Sequence, residues 1–506
     1  MIRRTPGLLW AVAALLAITS LHAQSGETEE GVTLTLSQCL KTALENNLDL
    51  VSSRKDPEIA EQSVVGQQSF FDPNLSISAS LQETEQQPTD PTQPSSRETT
   101  SMNASLAQEL PFGADYSATF FTNQDDAPGF NFFNPFYTSG LDLRFNVPLL
   151  RGLGKTATTE RLVLSRKDQQ MSEQELLRQA MQTIETVEGA YWDVAAARRA
   201  KTVAQQSLRR ANDLLELNRK KVEVGTLAPI EITQAEAGVA SEVEQSIIAE
   251  TNLGNAEDEL RRLMAVPTDD AMWDKPLLAS DRPNTTKVDV DVEAVLATAL
   301  SRRPEMINAR VSLDKDLLSE KSARNATKSD LTFNARVTPT GDSLEIPGGM
   351  APPVNGDLGD SIGEIPDFNN YTWSAGFTYN IPIRNRSARS AYRTSTLNRE
   401  KSELAVSNQE QTIRVEVRRA VREVTSGIRR FEASTANVEL QRKKLEAEEK
   451  KFENGMSTSF EVLTFQNDLA DAELSQIRAA VDYQKALAAL ERVQGTMLEA
   501  RGLSLN

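Results

Sequence analysis

The sequence predicts an α+β membrane protein in which strands of an outer-membrane β-barrel run on into long helices, the whole plan occurring as two tandem structural repeats. Three observations predict it. Segments of about ten residues alternate apolar and polar side chains and carry charge on the wet face. Two long stretches, Arg161 to Val222 and Arg386 to Glu453, keep heptad-like apolar spacing without a proline. The order of these features also repeats. LSQCLKTALENNLDL from Leu36 matches VEAVLATALSRRPEM from Val292 at an offset of 256, FNVPLL around Pro148 matches YNIPIR around Pro382 at 234, and two glycine stretches match at 230.

In chain order, the N-terminus reads as a secretory signal over residues 1–23: Arg3 and Arg4, an apolar run from Leu8 to Leu21, then Ala23 before a polar stretch. That run is too short to span a bilayer as a helix, and no later segment is apolar for the roughly 18 residues a span needs. A membrane part of the mature chain must therefore consist of strands.

The first repeat covers residues 24–284, with a helix over 33–70, barrel strands and outer loops over 74–148, and long helices over 155–224 and 229–264. The second covers 285–506, with a helix over 290–328, strands and an outer loop over 330–382, and long helices over 386–454 and 458–495. In the strand regions Leu75, Ile77, Ala79 and Leu81 oppose serines and Gln82. Leu141, Leu143, Phe145 and Val147 oppose Asp142, Arg144 and Asn146, and Trp373, Ala375, Phe377 and Tyr379 oppose Ser374, Gly376 and Thr378. A soluble sandwich also alternates in this way. Charge at Asp142, Arg144 and Arg336, with export, favours a barrel that is polar inside and apolar outside. The connections Pro88 to Ser96 and Pro339 to Asn370 are rich in Pro, Gly, Asp and Asn, as outer loops are.

Leu75 and Pro148 are 73 residues apart and their counterparts Leu331 and Pro382 only 51, so the first strand region holds 22 extra residues, enough for one more hairpin. It either joins the barrel wall or folds outside it. Two or three strands per repeat cannot close a barrel, and open edges are not tolerated in lipid, so the strands themselves call for several copies of the chain.

Several functions are excluded. The only histidine, His22, lies in the signal, and the only cysteine, Cys39, sits in a helical pattern without a partner. This leaves no Ser-His or Cys-His site, no His-bound metal and no intramolecular disulfide; no catalytic, cofactor or metal site is expected. Formal net charge is -17 and becomes more negative once Arg3 and Arg4 leave with the signal, which disfavours nucleic acid. RGLGKT at Arg151 to Thr156 ends like a phosphate loop but has Leu149 where the leading glycine belongs.

Export, the duplicated order of helix, strands and paired helices, the ALSRRPE motif at Ala299 to Glu305, and strands ending in NVPLLRG and NIPIRNR together resemble the TolC family of outer-membrane efflux proteins over essentially the whole mature chain. The resemblance implies a homotrimer whose strands form one barrel in outer-membrane lipid and whose helices form a tunnel into the periplasm. It implies a periplasmic adaptor and an inner-membrane pump as partners, and a passive duct for efflux or type I secretion, not an enzyme. The family usually contributes two strands per repeat, and many efflux-type members carry an acylated N-terminal cysteine that this sequence lacks. The alternative is an exported structural coiled coil with a β-domain; an exported enzyme ranks below both.

The glycine stretches KKVEVGTLAPIEITQ from Lys220 and KKFENGMSTSFEVLT from Lys450 read as helix-turn-helix ends, with Gly225, Thr226, Gly455 and Ser457 in the turns. Pro229 suits a first helical position, and Thr458 with Glu461 fits a capping box. Glu231 and Glu461 lie in matching first turns, where the helix dipole favours a carboxylate. The resemblance also places them at a periplasmic constriction and the turns at the adaptor contact. Thr464 stands where the family has a second carboxylate, and Phe452 and Ser457 stand where it can have a latching tyrosine and arginine. Closure is then expected to rest on packing around Phe452 and Phe460.

Overall fold

The computed structural model describes residues 31–88, 94–127, 134–345 and 354–505. The secretory signal, His22 and parts of the outer loops lie outside them. The chain opens with β1 (Val32–Leu34), followed by α1 (Leu36–Asn46), α2 (Leu48–Ser53) and α3 (Lys55–Gln68). Four strands follow: β2 (Asn74–Glu85), β3 (Ser96–Glu109), β4 (Asp115–Asp126) and β5 (Phe136–Pro148). Then come α4 (Lys155–Thr158), α5 (Glu160–Glu223), α6 (Ile230–Leu263) and β6 (Leu277–Ala279). The C-terminal half runs through α7 (Val292–Arg302), α8 (Pro304–Ala326), β7 (Asp330–Asp342), β8 (Leu344–Glu345), β9 (Val354–Asn355) and α9 (Leu358–Gly363). It ends with β10 (Asn370–Asn380), α10 (Arg386–Glu453), α11 (Ser459–Gln494) and α12 (Met497–Ala500).

The helix expected over 33–70 is instead β1 and three helices. Thr35 caps α1 through a reciprocal box with Gln38, and Asn47 ends α1 and caps α2, accepting from Leu50 N at 3.1 Å and donating to Leu263 O at 2.9 Å. A side chain bonded to backbone on both sides stops the helical ladder where the apolar pattern continues. The helix expected over 290–328 likewise breaks into α7 and α8, because Pro304 forces Arg303 into extended backbone and starts the second helix. β1 pairs in parallel with β6, a contact between segments far apart in sequence.

α5 packs along α6, α10 along α11, and α11 against α5; nearer the strands, α3, α5, α8 and α10 lie side by side. The heptad seam positions Ala180, Ile184, Val187, Tyr191 and Val194 are all buried, as are Ile413, Val417, Val421, Val424 and Ile428. Further along α5, Ala211 and Leu215 of the same seam are buried while Ala204 and Leu208 are half-buried, and Val203, Ser207 and Leu214 are buried beside them. Cys39 is buried in the core around α1 and α5, and burial pushes its thiol up to about 12, which fits an inert packing role.

The ALSRRPE motif is structural. Ala299 is fully buried, and Arg303, 3 % exposed, donates to the Glu305 carboxylate at 3.2 Å and to Glu416 on α10. A buried guanidinium with two carboxylate partners ties the start of α8 to α10.

The strands form one six-stranded antiparallel sheet in the order β10-β7-β5-β4-β3-β2. The extra hairpin is β3–β4, and it stands inside this sheet between β2 and β5. Cross-strand partners share a face. One face gathers Leu75, Ile77, Ala79 and Leu81 with Met102, Ala104 and Leu106, then Ala118 and Phe120, Leu141 and Leu143, Phe333 and Val337, and finally Trp373 and Phe377. The other face holds the serines of β2, Asn103, Thr119, Asp142, Arg144, Arg336 and Thr378. There the Asp142 carboxylate accepts from Arg144 at 2.6 and 2.9 Å and from Arg336 at 2.7 and 2.9 Å. The two arginines sit directly opposite each other, and Asp142 between them offsets their repulsion. Among the described residues no helix is long and apolar enough to cross a membrane.

Candidate functional site: the paired helical turns

The α5–α6 and α10–α11 turns lie together at one end of the helices. Each follows the same local chemistry. Gly225 (φ +76) and Gly455 (φ +72) take the left-handed conformation, and the next residue's amide reaches back, Thr226 N to Lys221 O and Met456 N to Lys451 O, each at 2.9 Å. This is the hydrogen-bond pattern of a Schellman stop, which glycine permits without a Cβ penalty.

The two glutamates behave differently. Glu231 reaches across to the other hairpin, where its carboxylate accepts from Ser459 N at 3.1 Å and so caps α11. Asn218, fully buried, reinforces that joint by donating to Ser459 Oγ at 2.7 Å and to Glu231 O at 3.1 Å. Glu461 stays local. Thr458 Oγ1 accepts from Glu461 N at 3.3 Å, but the Glu461 carboxylate is met by the Ser457 hydroxyl at 2.8 Å, so half of the expected capping box forms. Pro229 stands one residue before the first residue of α6, with helical backbone angles.

Ser457 also lies 2.5 Å from the Glu448 carboxylate, donating its single proton to one acid at a time. Glu448 is buried and bonded to Lys451 at 2.9 Å; this lysine first, and the Ser457 hydroxyl second, hold its carboxyl below the ordinary carboxylate range. A depressed acid stabilises the fold above its ordinary pKa, and that contribution is lost as pH falls through the lowered value. A spin label at Asn454 is therefore expected to be more mobile well below the ordinary glutamate value of about 4.3 than at neutral pH. In Glu448→Gln the label should be mobile at both, and an unchanged spectrum on acidification of the parent would contradict this.

Phe452 is 2 % exposed and stands at the turn end of an apolar cluster that runs up the hairpins through Leu214, Val438, Leu445, Val462 and Leu469. Lys221 lies over its ring, 4.1 Å from the centroid, and donates to Phe452 O at 2.9 Å. One ammonium thus closes the two hairpins on each other, through a cation–π contact and a charged hydrogen bond. Phe460 is not part of this packing: it is 65 % exposed, and Val224, Ile230 and Met456 at the same two turns are exposed as well. Thr464 bonds back to Phe460 O and supplies no charge.

Sequence reasoning missed Asn218, Lys221, Glu448 and Ser459. The offset of 230 that relates the two turns also pairs Lys221 with Lys451 and Asn218 with Glu448, and this was the available signal.

A sheet sector with one apolar and one charged face, carried at the end of paired helical hairpins, defines the outer-membrane channel class of fold. The outer membrane efflux protein family matches residues 145–266 and 295–496, and the chain belongs to that family. It is a transport protein of the outer membrane. The Campylobacter jejuni CmeC outer membrane channel is similar in structure at 16 % identity and a TM-score of 0.65, covering 97 % of this chain and 94 % of that one. A membrane protein from Pseudomonas aeruginosa gives 18 % and 0.66, over 91 % and 93 %. The open state of the Neisseria gonorrhoeae MtrE outer membrane channel gives 16 % and 0.63, over 92 % and 89 %. At these identities the likeness carries the fold. No curated protein matches the chain significantly.

Proposed function

We propose that the chain is the exit duct of a tripartite efflux or type I secretion system, a homotrimer of tandem-repeat protomers that works with a periplasmic adaptor and an inner-membrane pump. The observation that carries this reading is the two-faced sheet whose edge strands β2 and β10 are exposed along their whole length. Such edges must pair, and copies of the same chain can supply the partner strands. A duct of this kind performs no catalysis; the energy comes from its partners. Extraction of the outer membrane in mild detergent should yield a heat-sensitive trimer, whereas a soluble monomer would favour the exported coiled-coil alternative.

The helical turns are the gate in this reading. Exposed Val224, Ile230, Met456 and Phe460 give the turns an apolar surface suited to an adaptor, near Gly225, Thr226, Gly455 and Ser457. Glu231 and Glu461, three copies of each, make the narrow end prefer cations. Glu231→Gln with Glu461→Gln should lower cation preference in planar bilayers, since glutamine can still accept the Ser459 amide. Unchanged selectivity would leave both residues with capping roles alone.

A further inference from the structure

Resting on the trimeric duct just proposed, we infer that the outer end of this channel is an 18-stranded barrel, six strands from each of three copies, with a lumen wide enough that size selection falls to the helical turns. The β3–β4 hairpin is the element that decides this. It pairs along its full length on both sides, from Asn74–Ala107 to Glu85–Ser96 against β2 and from Asp115–Asn146 to Asp125–Phe136 against β5. Its faces continue those of its neighbours: Met102, Ala104, Leu106 and Phe120 lie on the apolar side, and Ser101, Asn103, Ser105 and Thr119 on the polar side, where Ser105 and Thr119 hydrogen-bond at 2.8 Å. A hairpin lying outside the wall would put that polar face into lipid without partners.

Its inner turn is also built in. Gly154 N donates to Phe112 O at 3.1 Å, and Gly113 (φ +99) packs so closely that a Cβ there would stand 2.5 Å from Gly152 O. Gln108 Nε2 donates to Phe71 O at 2.8 Å, fixing the hairpin to the segment that leads from α3 into β2.

The six strands alternate in direction, so the edges β2 and β10 run opposite ways and copies join antiparallel with the apolar side outward. Within one chain, the β5–β7 joint already connects the two halves. Carrying its register to the seam between copies by the repeat offsets puts Thr378 beside Ser80, as Arg144 is beside Arg336, and Phe377 beside Leu81, as Leu143 is beside Val337. Polar meets polar and apolar meets apolar from Asn380–Ser78 to Gly376–Gln82; toward the outer loop Ala375 and Trp373 fall beside Glu83 and Glu85. The two circumferences agree as well. Four helices per copy at ~9 Å spacing give ~110 Å, and 18 strands ~4.8 Å apart and tilted ~40° also give ~110 Å. Barrel diameter grows about linearly with strand number, so the cross-section is about twice that of a ring lacking the hairpin.

The test is electron cryo-microscopy of the full chain in lipid nanodiscs, with pore sizing by neutral polymers added from the outer side. We expect 18 strands with β2 of one copy beside β10 of the next. Deleting residues 96–126 should leave a 12-stranded trimer that excludes polymers the parent admits. A parent trimer with 12 wall strands and the hairpin outside overturns the inference, whether or not the deletion variant folds. Particles that form no ring of copies overturn the duct reading itself.

Discussion

Replacing Phe452 by alanine is expected to cost about 3–5 kcal/mol at the paired turns and to raise the resting conductance of the channel. The ring is buried among side chains from three helices, so its loss leaves a cavity with partner atoms removed on every side. It also removes the face over which Lys221 sits. Lys221→Met separates the two contributions: it keeps the apolar stem over the ring but loses the ammonium, and should cost about 1–2 kcal/mol with a smaller rise in leak. Single-channel recording checks both. Equal and wild-type leak in the two variants would remove this clasp from the account of the closed state.

Phe377→Arg is expected to destabilise the inserted barrel by about 2–4 kcal/mol, whereas Gly376→Arg, one residue away, should cost little. Phe377 lies on the apolar face in line with Phe333, their rings 5.3 Å apart, and is exposed on a single chain. Gly376 faces the polar side opposite Asn334, with open space where a Cβ would stand. Retention of the trimer band on heating in detergent gives the comparison. A large cost at Gly376 and none at Phe377 would mean that the faces are assigned the wrong way round.

The sequence made legible what is local and periodic. The alternation of β2, β5, β7 and β10 was visible because each strand keeps apolar side chains at every second position over most of its length. The C-terminal ends of α5 and α10 were visible because Gly225 and Gly455 follow them, whereas the break at Thr159 that divides the helix expected over 155–224 into α4 and α5 was not. The breaks at Asn47 and Pro304 were missed because the apolar pattern runs on across them; capping bonds interrupt the helix at Asn47, and the extended backbone that proline imposes on Arg303 does so at Pro304. The position of β3–β4 could not be read, because 22 extra residues measure a length and not a register. At the turns, the glycines and first-turn glutamates were legible from their neighbours in sequence. The bond from Glu231 to Ser459 and the seat of Lys221 on Phe452 join residues more than 220 positions apart, and they exist only once the two hairpins pack.

The central claim is that the sheet has one face in lipid and one in an aqueous lumen, and single-cysteine scanning along β10 in intact outer membranes tests it most directly. With Cys39 replaced, a membrane-impermeant thiol reagent should label cysteines at Ser374, Gly376 and Thr378 and spare those at Ala375, Phe377 and Tyr379. Labelling at all six positions, or at the second set alone, would contradict it.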